Sequence, residues 1–511
     1  MRIFFFQCTL IILFSSNNFF LNPDSNCFSQ NNAGDSTFFS SQIHEIQINF
    51  SQPNYWDSLV ANKLLDLMMA ATVTINGVVF DSCGVQFKGN SSYNAPGNKK
   101  PFKINFNEYK SGQKFDGLKT INLNNSMKDP TLMREKIFYD FMHRNGFTSP
   151  RATYAKLYLN GQYWGLYTLV EQVSKTFLEN RFFNDAGNLF KGDPQGTLQW
   201  LGQADSSYYK KYELKTNEDS NYWGDLKNLI DKINNTLSAQ FYDSLEKVIN
   251  TTSVINGWAA NIVFSNLDSY QGSGHNYYLY HNTATGKFEW IVWDCNETFG
   301  NFTLGMTLTQ MENLSIFYVP SPANIRPLTI KMNQNSNYKN MYVSTLCQII
   351  ENEFTGSKLF PYIDSLYTRI KPDVYADTKK PYSNQDFENN INSAVLNNIP
   401  GLKSFINNRR SSIVNQLAAN GCFVGEKEFE EVDNKIMVYP NPFKTSTSIS
   451  FPETFIKDEK IIKVSIYNLM GQEIYRQFCK ENKLRVSVKD IPSGIYLLKA
   501  GGQTARISIV D

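Results

Sequence analysis

The amino-acid sequence predicts an α+β fold in two lobes, followed by a small all-β sandwich domain. Short runs that alternate polar and apolar residues dominate the chain up to about residue 200, and they indicate antiparallel strands mixed with helices. Between residues 224 and 421, apolar residues recur at helical spacing around one β-hairpin. After residue 436, alternating runs with turns about every 8–12 positions are typical of an antiparallel sandwich.

Length and composition indicate a folded, exported protein. The chain has 511 residues, which is too long for one simple core, so we expect two domains and a processed leader. The formal net charge of +2 provides no field that would attract nucleic acid or an anionic membrane, so no nucleic-acid partner is expected. The 7 cysteines are far apart and form no zinc-ligand pattern, and their disulfide pairing is open.

Domain boundaries follow from local composition. Residues 1–28 combine one basic residue with an apolar run too short to span a bilayer, which predicts a signal peptide; a buried N-terminal strand is the alternative. Residues 29–423 are the main domain, residues 424–435 an acidic linker and residues 436–511 the C-terminal sandwich. No later segment has the length of a transmembrane helix.

The first half of the main domain is predicted to be rich in hairpins. Residues 45–50 alternate as a strand, and a run with helical spacing follows them. The Asn-Gly pairs at 76–77 and 160–161 predict two hairpins, because Asn-Gly suits the tight turns that join antiparallel strands. Between these hairpins the run KPFKINF predicts a further strand, and an amphipathic helix ends at Gly146.

The second half is predicted to be helical around one hairpin. A helix that ends near residue 264 leads into a loop that carries Asp268. The runs YYLYH and KFEWIVW then predict a hairpin over residues 277–293, with TATG as its turn, and Asp294 follows directly. Helical patterns continue to the Asn-Gly stop signal at 420–421.

Three polar residues around this hairpin point to phosphoryl transfer. Protein-kinase-type enzymes use an Asp that meets the substrate hydroxyl, then an Asn, a short hairpin and a second Asp that holds the metal on ATP. Asp268, Asn276 and Asp294 occur in that order. Asp268 is the catalytic candidate, Asp294 the first metal ligand and Asn276 the second, and Asn296 is a further candidate for that metal role. The alternative for Asn276 is a strand-entry residue that hydrogen-bonds to its own backbone. His275 is interpreted as a structural residue.

Four separated runs resemble the CotH family: CGVQFKGNSSYNAPGNKKPFKINF, REKIFYDFMHRNGFTSPRATYAKLYLNGQYWGLYTLVEQVSKTFLENRF, NLDSYQGSGHNYYLYH and WIVWDCNETFG. The resemblance spans roughly residues 45–420. It implies a secreted or spore-coat atypical protein kinase, distantly related to secretory-pathway kinases, with a two-lobed kinase-like fold. It also implies ATP with Mg²⁺ or Mn²⁺ as cofactors and a protein substrate that accepts phosphate on Ser or Thr.

The resemblance also implies residues that hold ATP. We expect Lys103 to contact the phosphates, because alternation in its strand points it inward; Lys88 and Lys100 are its rivals. Glu171 is expected to pair with that lysine or to bind metal. The loop 88–100 would wrap phosphates with backbone N–H groups, although an ordinary turn is the alternative. The full set of cofactor-binding candidates is Lys103, Glu171, Lys88, Lys100, Gly89, Asn90 and Ser91.

The tail resembles the C-terminal sorting domain of the type IX secretion system. The runs YPNPF, IYNLMGQEIY and SGIYLLK carry this resemblance, over about residues 436–511. It implies a Gram-negative bacterium, Sec export and passage across the outer membrane, so the protein is expected outside the cell or on its surface. The secretion machinery is then a partner, and the tail has no catalytic role.

Two functions of different classes follow. The first is a secreted CotH-like kinase that transfers the ATP γ-phosphate to Ser or Thr of surface or extracellular proteins. The second is a catalytically inactive surface protein of the same fold, which acts in adhesion or envelope assembly. Retention of both Asp268 and Asp294 favours the kinase, whereas the scarcity of ATP outside cells favours the inactive protein. A metal-dependent hydrolase is weaker, since the chain has only 4 histidines.

Overall fold

The computed structural model describes residues 32–396, 398–424, 436–451, 461–468, 472–489, 491–500 and 503–510. The predicted signal peptide and almost all of the predicted acidic linker lie outside these residues. The chain divides into two compact units, Met1–Val424 and Gly425–Asp511. No helix in the described segments is long and apolar enough to cross a membrane.

The first unit begins with a closed β-barrel of seven strands, arranged in the order β1-β2-β3-β4-β5-β7-β6. Its strands are β1 His44–Asn49, β2 Met69–Ile75, β3 Val78–Phe87, β4 Phe102–Asn105, β5 Thr120–Asn124, β6 Ala152–Leu159 and β7 Gln162–Glu171. The pairing of β1 with β6 closes it; this pair is parallel, and the others are antiparallel. Alternate side chains such as Ile46, Val85 and Ile104 fill its interior.

A second, four-stranded sheet follows, in the order β11-β10-β8-β9. Its strands are β8 Leu189–Lys191, β9 Glu213–Leu214, β10 Tyr277–Asn282 and β11 Lys287–Val292. The predicted hairpin over residues 277–293 is confirmed, since β10 and β11 pair in register from Tyr277 with Val292 to Asn282 with Lys287. Asp268 precedes this hairpin and Asp294 follows it, so both lie at one end of the sheet.

Helices surround the second sheet and pack on one large apolar core with β8, β10 and β11. The helices of the first unit are α1 Asp35–Phe38, α2 Tyr55–Leu65, α3 Ser91–Asn94, α4 Arg134–Arg144, α5 Lys175–Phe182, α6 Gly224–Asn235, α7 Phe241–Leu245, α8 Thr251–Val263, α9 Leu308–Glu312, α10 Pro327–Gln334, α11 Ser336–Asn352, α12 Gly356–Ala376, α13 Asn384–Asn389 and α14 Leu402–Ala418. Helix α4 packs on β6 of the barrel and joins the same core.

The prediction of a two-lobed, kinase-like α+β fold is wrong. The first unit is one compact body in which a closed seven-stranded barrel stands beside the small second sheet and its helices. The strands and hairpins were recognisable from their period and turns. The barrel depends on the parallel pairing of β1 with β6, about a hundred residues apart, and no local pattern reports such a pairing.

A disulfide joins two helical segments of the first unit. Cys347 in α11 is bonded to Cys422, which follows α14, across a sequence separation of 75 residues. Among the described cysteines, Cys83, Cys295 and Cys479 are free and buried. A disulfide of this kind persists in oxidising compartments, which agrees with export.

The second unit consists of a three-stranded sheet in the order β12-β13-β16 and a four-stranded sheet in the order β15-β14-β17-β18. Its strands are β12 Met437–Tyr439, β13 Ser446–Ser450, β14 Ile462–Tyr467, β15 Glu473–Cys479, β16 Lys483–Ser487, β17 Gly494–Ala500 and β18 Gln503–Ile509. Ile449 and Val486 from the first sheet share one core with Val464, Leu498 and Ile507 from the second.

Candidate functional site

A lysine, an amide and a glutamate form a chain of contacts on the outside of the barrel. Lys88 follows β3 directly, and the alternation that buries Val85 and Phe87 in the barrel directs Lys88 away from it. The Lys88 Nζ donates a hydrogen bond of 2.8 Å to Asn124 Oδ1 on β5. The Asn124 Nδ2 donates to both carboxylate oxygens of Glu135 on α4, at 3.1 and 2.9 Å. Asn124 therefore bridges the lysine and the glutamate.

The loop before the hairpin holds the Asp268 carboxylate with several side chains. The His275 Nε2 lies 2.6 Å from Asp268 Oδ1, and the Ser273 Oγ donates to the same oxygen at 3.2 Å. The Asn276 Nδ2 donates to Asp268 Oδ2 at 3.1 Å and to the Asp268 backbone oxygen at 2.9 Å. Asn276 has a φ of 60°, a left-handed conformation that asparagine tolerates better than most residues. The loop thus fixes Asp268 beside Asn276.

Asp294 stands at the end of β11, next to this loop. The backbone N–H of Trp293 donates to the backbone oxygen of Asn276 at 3.1 Å, which joins the two segments. Asp294 has a φ of 53°, which is uncommon for an aspartate and turns the chain sharply after the strand. Within the described part of the chain, no side chain or N–H donates a hydrogen bond to its carboxylate. Its lone pairs are therefore available.

The charges of this cluster perturb one another. Burial raises the pKa of Asp294; the nearby Lys88 opposes that rise, and the charge of Asp268 adds to it. Burial also raises the pKa of Glu135 to about 8, with Asp294 contributing in the same direction. Burial lowers the pKa of the Lys88 ammonium, while Asp294 and Glu135 act to raise it. Lys88, Glu135, Asp268 and Asp294 therefore interact as one electrostatic unit.

The side chains present here fit a divalent cation. The charge of Asp268 raises the cost of ionising Asp294, whose carboxylate receives no hydrogen bond from the described residues, so a cation beside Asp294 would be stabilising. Mg²⁺ takes oxygen ligands and is usually bound through one or two carboxylates plus substrate phosphates, so Asp294 with Asp268 or Asn276 supplies a sufficient protein share. No group of three or more His, Cys, Asp or Glu able to hold a metal ion occurs within the described residues.

The four lysine and glutamate candidates have different surroundings. Lys103 lies on the outer face of β4, between the inward Phe102 and Ile104, and not inside the barrel. The charges that act on it come from Lys215, Asp66, Glu108 and Glu218. The charge of Lys103 also acts on Lys88, which agrees with a position of Lys103 further along the same outer face of the barrel.

Lys100 and Glu171 have other partners. The Lys100 Nζ donates to the backbone oxygens of Tyr93 and Ala95, at 2.7 and 2.6 Å, and so closes its own loop. Glu171 is fully buried and forms ion pairs of 2.6 Å with Arg151 and 3.1 Å with Arg181. The structure does not bring Glu171 to any of the candidate lysines.

The remaining candidates lie beside the site. Gly89 and Asn90 follow Lys88, and Ser91 begins the short helix α3. Gly89 has a φ of 72°, and a β-carbon there would meet the Ser92 hydroxyl, so the turn requires glycine. Asn296 donates to the backbone oxygen of Met127 at 3.2 Å. These residues form the rim of the cluster, and their roles stay predictions.

Sequence reasoning missed three residues of this cluster: Asn124, Glu135 and Lys191. Glu135 is in the first turn of α4 and only 4% exposed, which is rare for a glutamate. Its neighbours Arg134 and Lys136 are charged, so the local sequence contains no sign of this burial. Lys191, at the end of β8, acts by its charge on both Lys88 and Asp294.

Comparison with known protein families assigns both units of the chain. Residues 85–413 match the model of the family described as CotH kinase protein. The chain belongs to the CotH family. The resemblance inferred from the sequence motifs is thereby confirmed. Residues 437–509 match the secretion system C-terminal sorting domain, which confirms the second resemblance and indicates secretion to the cell surface through the type IX system.

Two CotH-related proteins are similar to the chain. Inner spore coat protein H of Bacillus subtilis (strain 168) is 32% identical over 295 residues, which cover 57% of this chain and 76% of that protein. Invasin CotH2 of Rhizopus delemar (strain RA 99-880) is 22% identical over 274 residues, which cover 49% of this chain and 44% of that protein.

A Glu135→Gln variant is expected to flatten the pH dependence of thermal stability. The pKa of Glu135 is about 8 in the folded protein against an ordinary value of 4.5, so the folded state keeps a proton that the unfolded state releases. The stability due to the protonated group is full below about pH 4.5 and is lost as the pH rises towards 8. In metal-free buffer, melting temperatures at pH 5 to 8 should fall less steeply for the variant. Equal slopes would contradict this.

Proposed function

We propose that this CotH-family protein is a secreted kinase, which transfers the γ-phosphate of ATP to a Ser or Thr hydroxyl of a surface or extracellular protein. The observation that carries this proposal is the convergence of Lys88, Glu135, Asp268 and Asp294, from four separate segments, on one site. Phosphoryl transfer requires mainly positioning and charge stabilisation, and these residue types supply both.

Each side chain has a part in that reaction. The Lys88 ammonium, which Asn124 and Glu135 hold in place, binds the donor phosphates. Asp294, with Asn276, would hold Mg²⁺ or Mn²⁺, and the bound ion would neutralise charge on the phosphates. Asp268 orients the acceptor hydroxyl. The hydroxyl oxygen forms a bond to the γ-phosphorus, the bond from that phosphorus to the β–γ bridging oxygen breaks, ADP leaves, and the hydroxyl proton passes to Asp268.

The test is incorporation of label from γ-labelled ATP into a protein acceptor, with Mn²⁺ or Mg²⁺ and the full exported chain. We expect labelling by the wild-type protein and a loss of about 10²-fold or more in an Asp268→Asn variant, which cannot accept the proton. Asp231→Asn, at a partly exposed position of α6, is the matched control and should label like the wild type. Equal labelling by all three proteins would refute the assigned role of Asp268.

A non-catalytic role in adhesion or envelope assembly is the second candidate. One relative is named an invasin, and ATP is scarce outside cells. Without a phosphate donor the protein would act through its surface alone, as a binding protein. This candidate predicts no labelling by the wild-type protein and no rise in its melting temperature with ATP and Mn²⁺. A bound nucleotide would raise that temperature.

A further inference from the structure

We propose that Lys191 is a second lysine that binds the phosphates of the nucleotide donor, from a different structural element than Lys88. This inference rests on the proposed function and adds a residue to it. Lys88 belongs to the barrel, whereas Lys191 ends β8 of the second sheet. The two lysines therefore approach the site from different structural elements of the same unit.

The sheet register places Lys191 on the face that carries the site. Lys191 is directly opposite Tyr278 on β10, and Tyr278 is opposite Ile291 on β11. Residues directly opposite each other in a sheet point to the same face, as do residues two positions further along. Trp293 therefore shares this face, and its ring packs edge-on against that of Tyr278 with 5.6 Å between centroids.

The same face meets Lys88. The Lys88 Nζ lies 5.4 Å from the centroid of the Trp293 ring. The aromatic pair of Trp293 and Tyr278 thus lies between the two lysines. The charge of Lys191 acts on both Lys88 and Asp294, which places all three within electrostatic range. Two cations within electrostatic range of a carboxylate that can hold a metal are an arrangement suited to a metal-bound triphosphate.

The position of Lys191 is fixed before any ligand binds. Its ammonium is ion-paired with Asp193, and the side chain keeps 20% exposure, so part of it remains accessible to a ligand. The Gly192 N–H donates to the backbone oxygen of Tyr277 at 2.9 Å, and the Tyr277 hydroxyl donates to the backbone oxygen of Gly196 at 2.5 Å. A preorganised cation loses little conformational entropy when it binds phosphate.

The test compares the affinities of full-length Lys191→Met for Mn²⁺–ATP and for adenosine, measured by calorimetry. Methionine keeps the apolar stem and removes the charge. We expect the affinity for ATP to fall about 10- to 100-fold, which is typical of a lost charged hydrogen bond, while the affinity for adenosine is unchanged. Lys215→Met, on the neighbouring edge of the sheet and 42% exposed, is the matched control and should remain within about twofold of the wild type for both ligands.

An Asp193→Asn variant distinguishes phosphate binding from a structural ion pair. If Lys191 serves only to pair with Asp193, both variants will lower the melting temperature, and neither will change the ratio of the ATP and adenosine affinities. We expect that ratio to fall in Lys191→Met alone. An unchanged ratio in Lys191→Met, with wild-type protein that binds ATP, overturns this inference only. Wild-type protein that binds no ATP overturns the proposed kinase function as well.

Discussion

An Asp294→Asn variant is expected to transfer phosphate about 10²- to 10³-fold more slowly than the wild-type protein while it remains folded. Asparagine has nearly the same shape but lacks the charge that would hold the divalent cation. Asp294 receives no hydrogen bond from the described residues, so the substitution breaks no hydrogen bond there. Burial raises the pKa of this carboxyl, which means that its ionisation opposes folding at neutral pH. The melting temperature should therefore stay the same or rise.

The measurement combines label transfer with Mn²⁺ binding in the presence of ATP. The variant should lose both, and an increase in Mn²⁺ concentration should restore part of the activity if metal affinity is what fails. Asp364→Asn, whose residue is 57% exposed and paired with Lys403, removes a carboxylate elsewhere and should have no effect on either readout. An Asp294→Asn protein with wild-type Mn²⁺ binding would contradict the assignment of Asp294 as a metal ligand.

An Arg134→Ala variant is expected to lose about 3–5 kcal/mol of the free energy of unfolding. Arg134 is fully buried and ion-paired with Asp129, which is itself 2% exposed. Its guanidinium also donates to Asn390 Oδ1 at 2.9 Å and to the Pro400 oxygen at 2.5 Å. Removal of the arginine leaves the buried Asp129 carboxylate without its counter-charge, with only neutral donors from Thr131 and the backbone N–H of residue 134, and it leaves Asn390 Oδ1 without this donor. Both losses are costly in a medium of low dielectric constant.

Tryptophan fluorescence during urea unfolding measures this loss in the intact protein, because all 7 tryptophans lie in the first unit. Arg144→Ala, at the other end of α4, is the matched control. That arginine is 35% exposed and 3.7 Å from Glu353, so the control should lose less than about 1 kcal/mol. Equal losses of unfolding free energy in the two variants would show that the buried pair of Arg134 and Asp129 stabilises the fold no more than the exposed pair does. Because Glu135 is the next residue, Arg134→Ala should also weaken ATP binding.

Local signals predicted the elements of this protein well. The Asn-Gly pairs at 76–77 and 160–161 do form hairpin turns, with Ile75 opposite Val78 and Leu159 opposite Gln162. The predicted helix before Gly146 is α4, and that glycine has a φ of 69°. The placement of Asp268 and Asp294 on either side of a hairpin was also readable, because both lie within one short stretch of chain.

Contacts between distant segments were not readable from one sequence. The closure of the barrel and the approach of Glu135 to Lys88 both depend on such contacts. Alternation within β3 and β4 directs Lys88 and Lys103 to the same outer face, so the pattern did not distinguish between them. Lys88 is preferred to Lys103 because it contacts Asn124 and, through Asn124, Glu135. Both of these residues belong to segments further along the chain.

The bond between Cys347 and Cys422 has a mechanical consequence for export. Cys422 stands three residues before the second unit begins. A machine that grips the sorting domain and pulls would transmit tension along the backbone to this crosslink first. The disulfide would transfer the force to α11, so the last turns of α14 would not unfold under tension. The same bond would anchor the new chain end if a protease later released the tail.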